Sequence, residues 1–206
     1  QRLTFRAGKL PRRKSASSSL QIQLNNMFDS ILKIFRRKRL EKFASNVPTG
    51  FLPLSAISSV NVVIDVEEPG FDQLKDDILA WGKQVGLKVN IYFFDFRKIS
   101  KDELLLTSIQ TTIIKKELDW LGMPDFSKIG NLLYEPSDLF ISMVDNGDFP
   151  IEFLSKCSKA RFKIGRYDFD GHAYDMVIFG NPTDDLLSDT GRSVAALKDC
   201  LAMVRW

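Results

Sequence analysis

One histidine and two cysteines are all that this chain of 206 residues holds of the usual soft metal ligands. His172, Cys157 and Cys200 are too few and too far apart for the nitrogen and sulfur set of a zinc site, and two widely spaced thiols do not make the disulfide framework of a small secreted domain. Long apolar runs are missing as well. Nothing approaches the roughly 18 uninterrupted apolar residues of a spanning helix, and the best signal-peptide candidate, Met27 to Phe35, is broken by Asp29 and Lys33 with no small-residue cleavage site after it. The sequence also lacks G-x-G-x-x-G, G-x-x-x-x-G-K-[ST] and G-x-S-x-G, which removes the familiar routes to dinucleotide, phosphate and acyl-transfer chemistry. These absences describe a cytoplasmic protein with no transmembrane segment and no cofactor.

What is present is charge, unevenly spread. Residues 1–44 carry twelve Lys or Arg against Asp29 and Glu41, whereas residues 45–206 carry seventeen against twenty-four acids. A cationic block beside an acidic body reaches for a polyanion or an anionic surface. Residues 1–26 are basic, Ser-rich and without periodicity, the composition of a disordered leader. Met27 then opens a translation-start context, so residues 1–26 are treated as a disordered or non-native basic leader. Residues 27–46 read as a basic amphipathic helix: Phe28, Ile31, Leu32, Phe35 and Phe43 recur at helical spacing, and Lys33, Arg36, Arg37, Lys38, Arg39 and Lys42 fill most of the other positions. Asn46, Pro48, Gly50 and Pro53 break the pattern and lead into a third region, residues 47–206.

That region alternates strands and helices. Val60–Val66 is a β-branched run, Phe71–Val85 has helical periodicity ending at Gly86, and Lys88–Phe96 is a second strand, together a βαβ crossover with parallel strands. Thr107 and Thr111 to Ile114 favour a strand, with a short helix over Lys115–Trp120. Asp138–Val144 is a strand, Pro150–Ser158 a helix, Arg161–Ile164 and Tyr174–Phe179 strands, and Thr183–Val204 a last helix with a capped start at Asn181 to Asp184. The pattern predicts an α/β fold: a single three-layer domain, Rossmann-like, with a mostly parallel sheet of about five strands, preceded by the basic helix.

Three groups of residues are candidate sites. The helix cations Lys33, Arg36, Arg37, Lys38, Arg39 and Lys42 suit an anionic membrane surface or a protein partner, and nucleic acid less well. The bland alternative is that Phe28, Leu32 and Phe35 dock on the sheet and the cations are merely solvated. Acids gather at the predicted strand ends, where ligands bind in open α/β sheets; Asp65, Asp95 and Asp145 would there hold Mg²⁺, although Asp in such turns also serves simply to cap helices. Lys156, Lys159, Arg161, Lys163 and Arg166 form a second positive stretch, which an edge strand protected by charge explains, a phosphate or polyanion contact being the alternative. His172 reads as a solvated turn residue, and Cys157 as a small buried one.

The run DLFISMVDNGDFPIEFLSKCSKARFKIG (Asp138–Gly165), followed by YDMVIFG (Tyr174–Gly180) and preceded by KKELDWLGMP (Lys115–Pro124), resembles an uncharacterised family of bacterial conserved hypothetical proteins of the Bacteroidetes type. The resemblance runs from about Met27 to the C-terminus and implies no reaction. More distantly, the strand, helix and S-x-A-R-F-K-I-G segment is similar to part of the first Rossmann-like domain of heptosyltransferases. Those enzymes need a second, nucleotide-sugar-binding domain that this length does not accommodate, so the likeness implies fold and not activity. The expectation is an accessory, non-catalytic α/β domain, cytoplasmic or peripheral at the inner membrane face, that attaches through its basic helix. The alternative is a Mg²⁺-dependent hydrolase or transferase using the strand-end acids.

Overall fold

The computed structural model describes residues 15–98, 105–178, 195–199 and 201, with side chains from Gln23 onward. The chain forms two compact units, Gln1–Lys38 and Arg39–Trp206. The first unit is helical. Helix α1 runs from Ser15 to Phe43, so it begins inside the segment expected to lack structure, and it ends three residues short of the expected boundary at Asn46. Residues 1–14 lie outside the described part.

In the second unit the parallel sheet expected from alternating strands and helices is present, with six strands instead of about five, ordered β3-β2-β1-β4-β5-β6. These are β1 (Ser59–Asp65), β2 (Lys88–Asp95), β3 (Thr112–Ile114), β4 (Ser137–Ser142), β5 (Ala160–Gly165) and β6 (Met176–Val177). Every pairing among them is parallel. Strand β1 is central: its residues pair with β2 over Ser59 to Asp65 and with β4 over Val60 to Val63. A strand bonded on both edges and packed on both faces is largely apolar: Val60, Val62, Val63 and Ile64 are all but fully buried, and the one buried polar side chain among them, Asn61, accepts a bond from Asn90 at 3.0 Å.

Helix α2 (Phe71–Val85) presents Leu74, Ile78 and Trp81 to one face of the sheet, in a core shared with Val62, Ile64, Leu139, Ile141, Phe162, Ile164, Leu197 and Leu201. It stops at Gly86, whose φ of 78° closes the last turn by a backbone N–H bond to the Gly82 carbonyl. On β5, Lys163 alternates with the core residues Phe162 and Ile164 and bonds the carbonyl end of helix α4 (Phe149–Cys157), which places α4 on the opposite face. Helix α3 (Phe126–Tyr134) packs on α4. The segment after α1 is tied in by Phe43, whose ring lies 5.1 Å from Phe126 and 5.8 Å from Phe153.

Several boundaries differ from those the sequence predicts. Only Lys115–Glu117 of the expected helix Lys115–Trp120 is helical, as one 3₁₀ turn. Helix α3 was not expected at all; Asp125 starts it by accepting the Ser127 N–H at 2.9 Å. Asp148 stands at the N-cap of α4 without a side-chain bond to the helix. Strand β5 is not an edge, because β6 pairs with it. Residues 195–199 and 201 of the expected C-terminal helix are helical; its start and its capping residues lie outside the described part.

The N-terminal ends of β1 and β4 are locked by one carboxylate. Asp138 Oδ2 accepts the N–H and Oγ–H of Ser58 at 2.9 and 2.7 Å, and those of Ser59 at 3.1 and 3.2 Å. Arg161 lies 3.3 Å from its other oxygen. Burial opposes the charge, but these donors together outweigh it and hold Asp138 down at about 2, from 3.8. With the folded value below the unfolded one, the stabilisation is complete above about pH 4 and is lost as pH falls towards 2. Urea titration of Asp138→Ala should therefore show a loss on the order of 1 to 2 kcal/mol at pH 7, with the gap to wild type narrowing below pH 4. An unchanged gap at low pH would contradict this role.

Candidate functional site

A helix lines up side chains three and four residues apart in one stripe. On α1 that stripe consists of Leu24, Met27, Phe28, Ile31, Ile34 and Phe35, all exposed, Phe28 by 62%. Ideal helix geometry places these six within an arc of about 120°, the width of an apolar face that ordinarily meets a partner. Ile34 belongs to this stripe and Leu32 and Phe43 do not, a correction to the spacing read from the sequence. Lys33, Arg37 and Lys38 are exposed and Arg36 is half-buried on the same unit. The Lys38 ammonium lies 5.9 Å from the Phe35 ring centroid, so cation and apolar stripe meet at the C-terminal end of that unit. Arg39 and Lys42 belong to the second unit, where Lys42 sits 5.5 Å from the Phe43 ring.

The strand-end acids have a different fate. Asp65 ends β1 and Asp95 ends β2. Asp95 is fully buried and held by a two-point bond from Arg97, Nε to Oδ1 at 2.8 Å and Nη2 to Oδ2 at 2.7 Å. Asp145 lies beyond β4 and faces Arg166 at 3.7 Å. Asp65 accepts the Glu67 N–H at 2.8 Å; burial raises its pKa despite that bond, and Glu67, Asp148 and Asp95 raise it further. Among the described residues no three His, Cys, Asp or Glu side chains are placed to hold a metal ion together. The expected Mg²⁺ set of Asp65, Asp95 and Asp145 is therefore not assembled, because two of its members are committed to arginines.

Between the C-terminal ends of β1 and β4 the sheet changes direction of winding, the crevice in which doubly wound folds bind their ligands. Here it is closed by an ion pair. Arg166 Nη1 donates to Glu68 Oε2 at 2.8 Å and to the Met143 carbonyl at 3.0 Å. Burial raises the Glu68 pKa and the Arg166 charge opposes that rise. In a dinucleotide-binding fold a glycine-rich turn cradles pyrophosphate before this helix. In this chain Glu67 and Glu68 occupy the turn, and their charge repels a pyrophosphate. The pair spans 98 positions, so no local spacing in the sequence announces it.

The second positive stretch divides. Arg161 is exposed and meets Asp138, whereas Lys163, on the same side of β5, is only 4% exposed beneath α4. Cys157 is buried, as expected, and burial pushes its thiol up to about 12, which leaves it protonated and unreactive. His172 lies exposed in a turn with a positive φ of 55°.

The strand order and the all-parallel pairing define a Rossmann-like α/β domain, with helices on both faces of its sheet. A family model matches residues 29–186, and the chain belongs to that family, the family of unknown function DUF6913. The match takes in the cationic turns of α1 and the sheet through β6. Comparison with curated proteins gives no match, and comparison with solved structures gives none.

Removing Arg166 leaves the half-buried Glu68 and the buried Met143 carbonyl without their shared donor, so Arg166→Met should cost about 2 to 3 kcal/mol in chemical denaturation. The double variant Arg166→Met/Glu68→Met should recover part of that loss. A loss in the double variant equal to the sum of the losses in Arg166→Met and Glu68→Met alone would show that the pair is not coupled.

Proposed function

We propose that this protein is an accessory, non-catalytic α/β domain that attaches to an anionic membrane surface through α1. The single observation that carries the reading is the exposed stripe Leu24, Met27, Phe28, Ile31, Ile34 and Phe35 on a helix that also bears Lys33, Arg36, Arg37 and Lys38. A helix of this kind lies in the plane of the interface, with the apolar stripe at the level of the acyl chains and the Lys and Arg ends among the lipid phosphates. Each cation contributes about 1 kcal/mol near such a surface. Attachment is then reversible and falls with salt.

The charge also favours a lipid surface over a second copy of the helix, since apposed copies would bring the same four cations together. Arg39 and Lys42 extend the positive run beyond the first unit. Among the described residues no helix is long and apolar enough to cross a membrane, and an interfacial helix needs none. In this reading the protein is cytoplasmic and peripheral at the inner membrane face. Hydrolase or transferase chemistry with Mg²⁺ has no comparable support, because Asp95 and Asp145 are turned to arginines.

Cosedimentation with vesicles of mixed phosphatidylcholine and phosphatidylglycerol tests the proposal. The bound fraction should fall steeply between about 0.05 and 0.5 M salt, as the Debye length shortens from roughly 14 to roughly 4 Å. It should drop about tenfold or more in Arg36→Glu/Arg37→Glu/Lys38→Glu, and again in Phe28→Ser. Equal binding to purely zwitterionic vesicles, or binding to nucleic acid or to a soluble protein instead, would overturn it.

A further inference from the structure

A cleft of about 350 Å³ opens in the second unit between the segment after α1 and the turn before β6, lined by Ser45, Thr49, Lys163, His172, Tyr174 and Asp175, among others. Its size falls within the range of small-molecule sites. At its inner wall lies Lys163, a side chain that sequence alternation assigned to solvent and that the fold buries. The Nζ donates to the carbonyls of Ser155 and Lys156, at 2.9 and 3.3 Å. These are carbonyls of the last turn of α4, which carries partial negative charge.

Among the described residues no carboxylate forms an ion pair with this ammonium. Asp175, which lines the same cleft, is turned elsewhere: its Oδ2 accepts the backbone N–H of Lys163 at 2.8 Å. Two carbonyl acceptors satisfy both N–H groups of a neutral amine and leave its lone pair uncommitted, whereas an ammonium would carry a third N–H. The wall around it is rigid. Tyr174 is buried with its hydroxyl 2.6 Å from Ser155 Oγ, and its ring lies so close over Gly165 that a Cβ there would overlap it.

The geometry points to Lys163 as a reactive amine that forms an imine with a small aldehyde or ketone admitted to this cleft. The lone pair of Nζ attacks the carbonyl carbon and forms the C–N bond, while the carbonyl oxygen takes up a proton. The resulting carbinolamine loses its hydroxyl as water together with the remaining nitrogen proton, giving C=N. One water leaves for each imine formed, and nothing is oxidised or reduced. His172, at the mouth of the cleft, is placed to exchange these protons with solvent.

The surroundings of the Lys163 amine set its state of protonation. Burial lowers its pKa to about 8, and Asp175 before β6 acts in the opposite direction. The Cys157 thiol stays neutral, Lys156 is held by Glu152 and by the Asp170 carbonyl, each at 2.6 Å, and Tyr174 is pushed up by burial. The neutral fraction of Lys163 thus rises through about pH 8, well before that of an exposed lysine near 10.4.

Reductive trapping on the intact chain is the test. The protein is incubated at pH 7 with glycolaldehyde or glyoxylate and cyanoborohydride, and labelling of each lysine is followed by peptide mass mapping. Lys163 should label about tenfold faster than the exposed lysines, with a rate that levels off above about pH 8. Lys163→Arg should abolish the fast phase, and should that variant fail to fold, the wild-type map decides alone. Labelling of Lys163 no faster than the average exposed lysine, or only in denaturant, would overturn the assignment.

Discussion

Apolar surface must leave water somewhere, and the two units of this chain meet that demand in different ways. In the second unit both faces of a parallel sheet are covered, so that Val60, Ile64, Leu139, Phe140, Phe153 and Phe162 are all essentially inaccessible. Each such side chain contributes about 1.5 to 3 kcal/mol by its burial. In the first unit six large apolar side chains stay exposed on one side of a helix. An isolated helix of that sort draws most of its stability from what its apolar face packs against. The proposed attachment through α1 rests on this contrast.

The sheet also explains why the crevice at its switch point is not an ordinary nucleotide site. Glu68 and Arg166 fill it with a charge pair, and Asp95 is neutralised by Arg97. Carboxylates beyond strand ends are the residues one would recruit for a hard cation, and here Glu68, Asp95 and Asp145 face arginines instead. Charge is placed in the same selective way at the other end of the strands, where Asp138 gathers the donors of Ser58 and Ser59 and so fixes β1 beside β4.

Much of this architecture was legible in residue patterns, and the reasons it failed elsewhere are physical. The β-branched run Val60–Val66 and the apolar periodicity of Phe71–Val85 are strong local signals, and β1 and α2 follow them closely. Helix α3 was missed because nine residues between Pro124 and Pro136, with Gly130 inside, carry little helix propensity; packing of Ile129, Leu132 and Leu133 makes the helix. Lys163 was placed on a solvated edge since alternation tells which side a residue faces and not what covers that side. The ion pair of Glu68 with Arg166 and the cleft beside His172 arise from residues far apart in the chain, and no spacing rule reaches that far. The basic helix was the plainest signal of all, although its apolar stripe is set by Ile34 and extends back to Leu24.

The most direct test of the account is hydrogen exchange of the intact protein with and without anionic vesicles. Amides of residues 24–38 should exchange fast in solution and become strongly protected on vesicles containing phosphatidylglycerol, with no protection on phosphatidylcholine alone and unchanged exchange in β1 and β4. Protection of residues 24–38 already complete in solution, or no change on adding anionic vesicles, would contradict it.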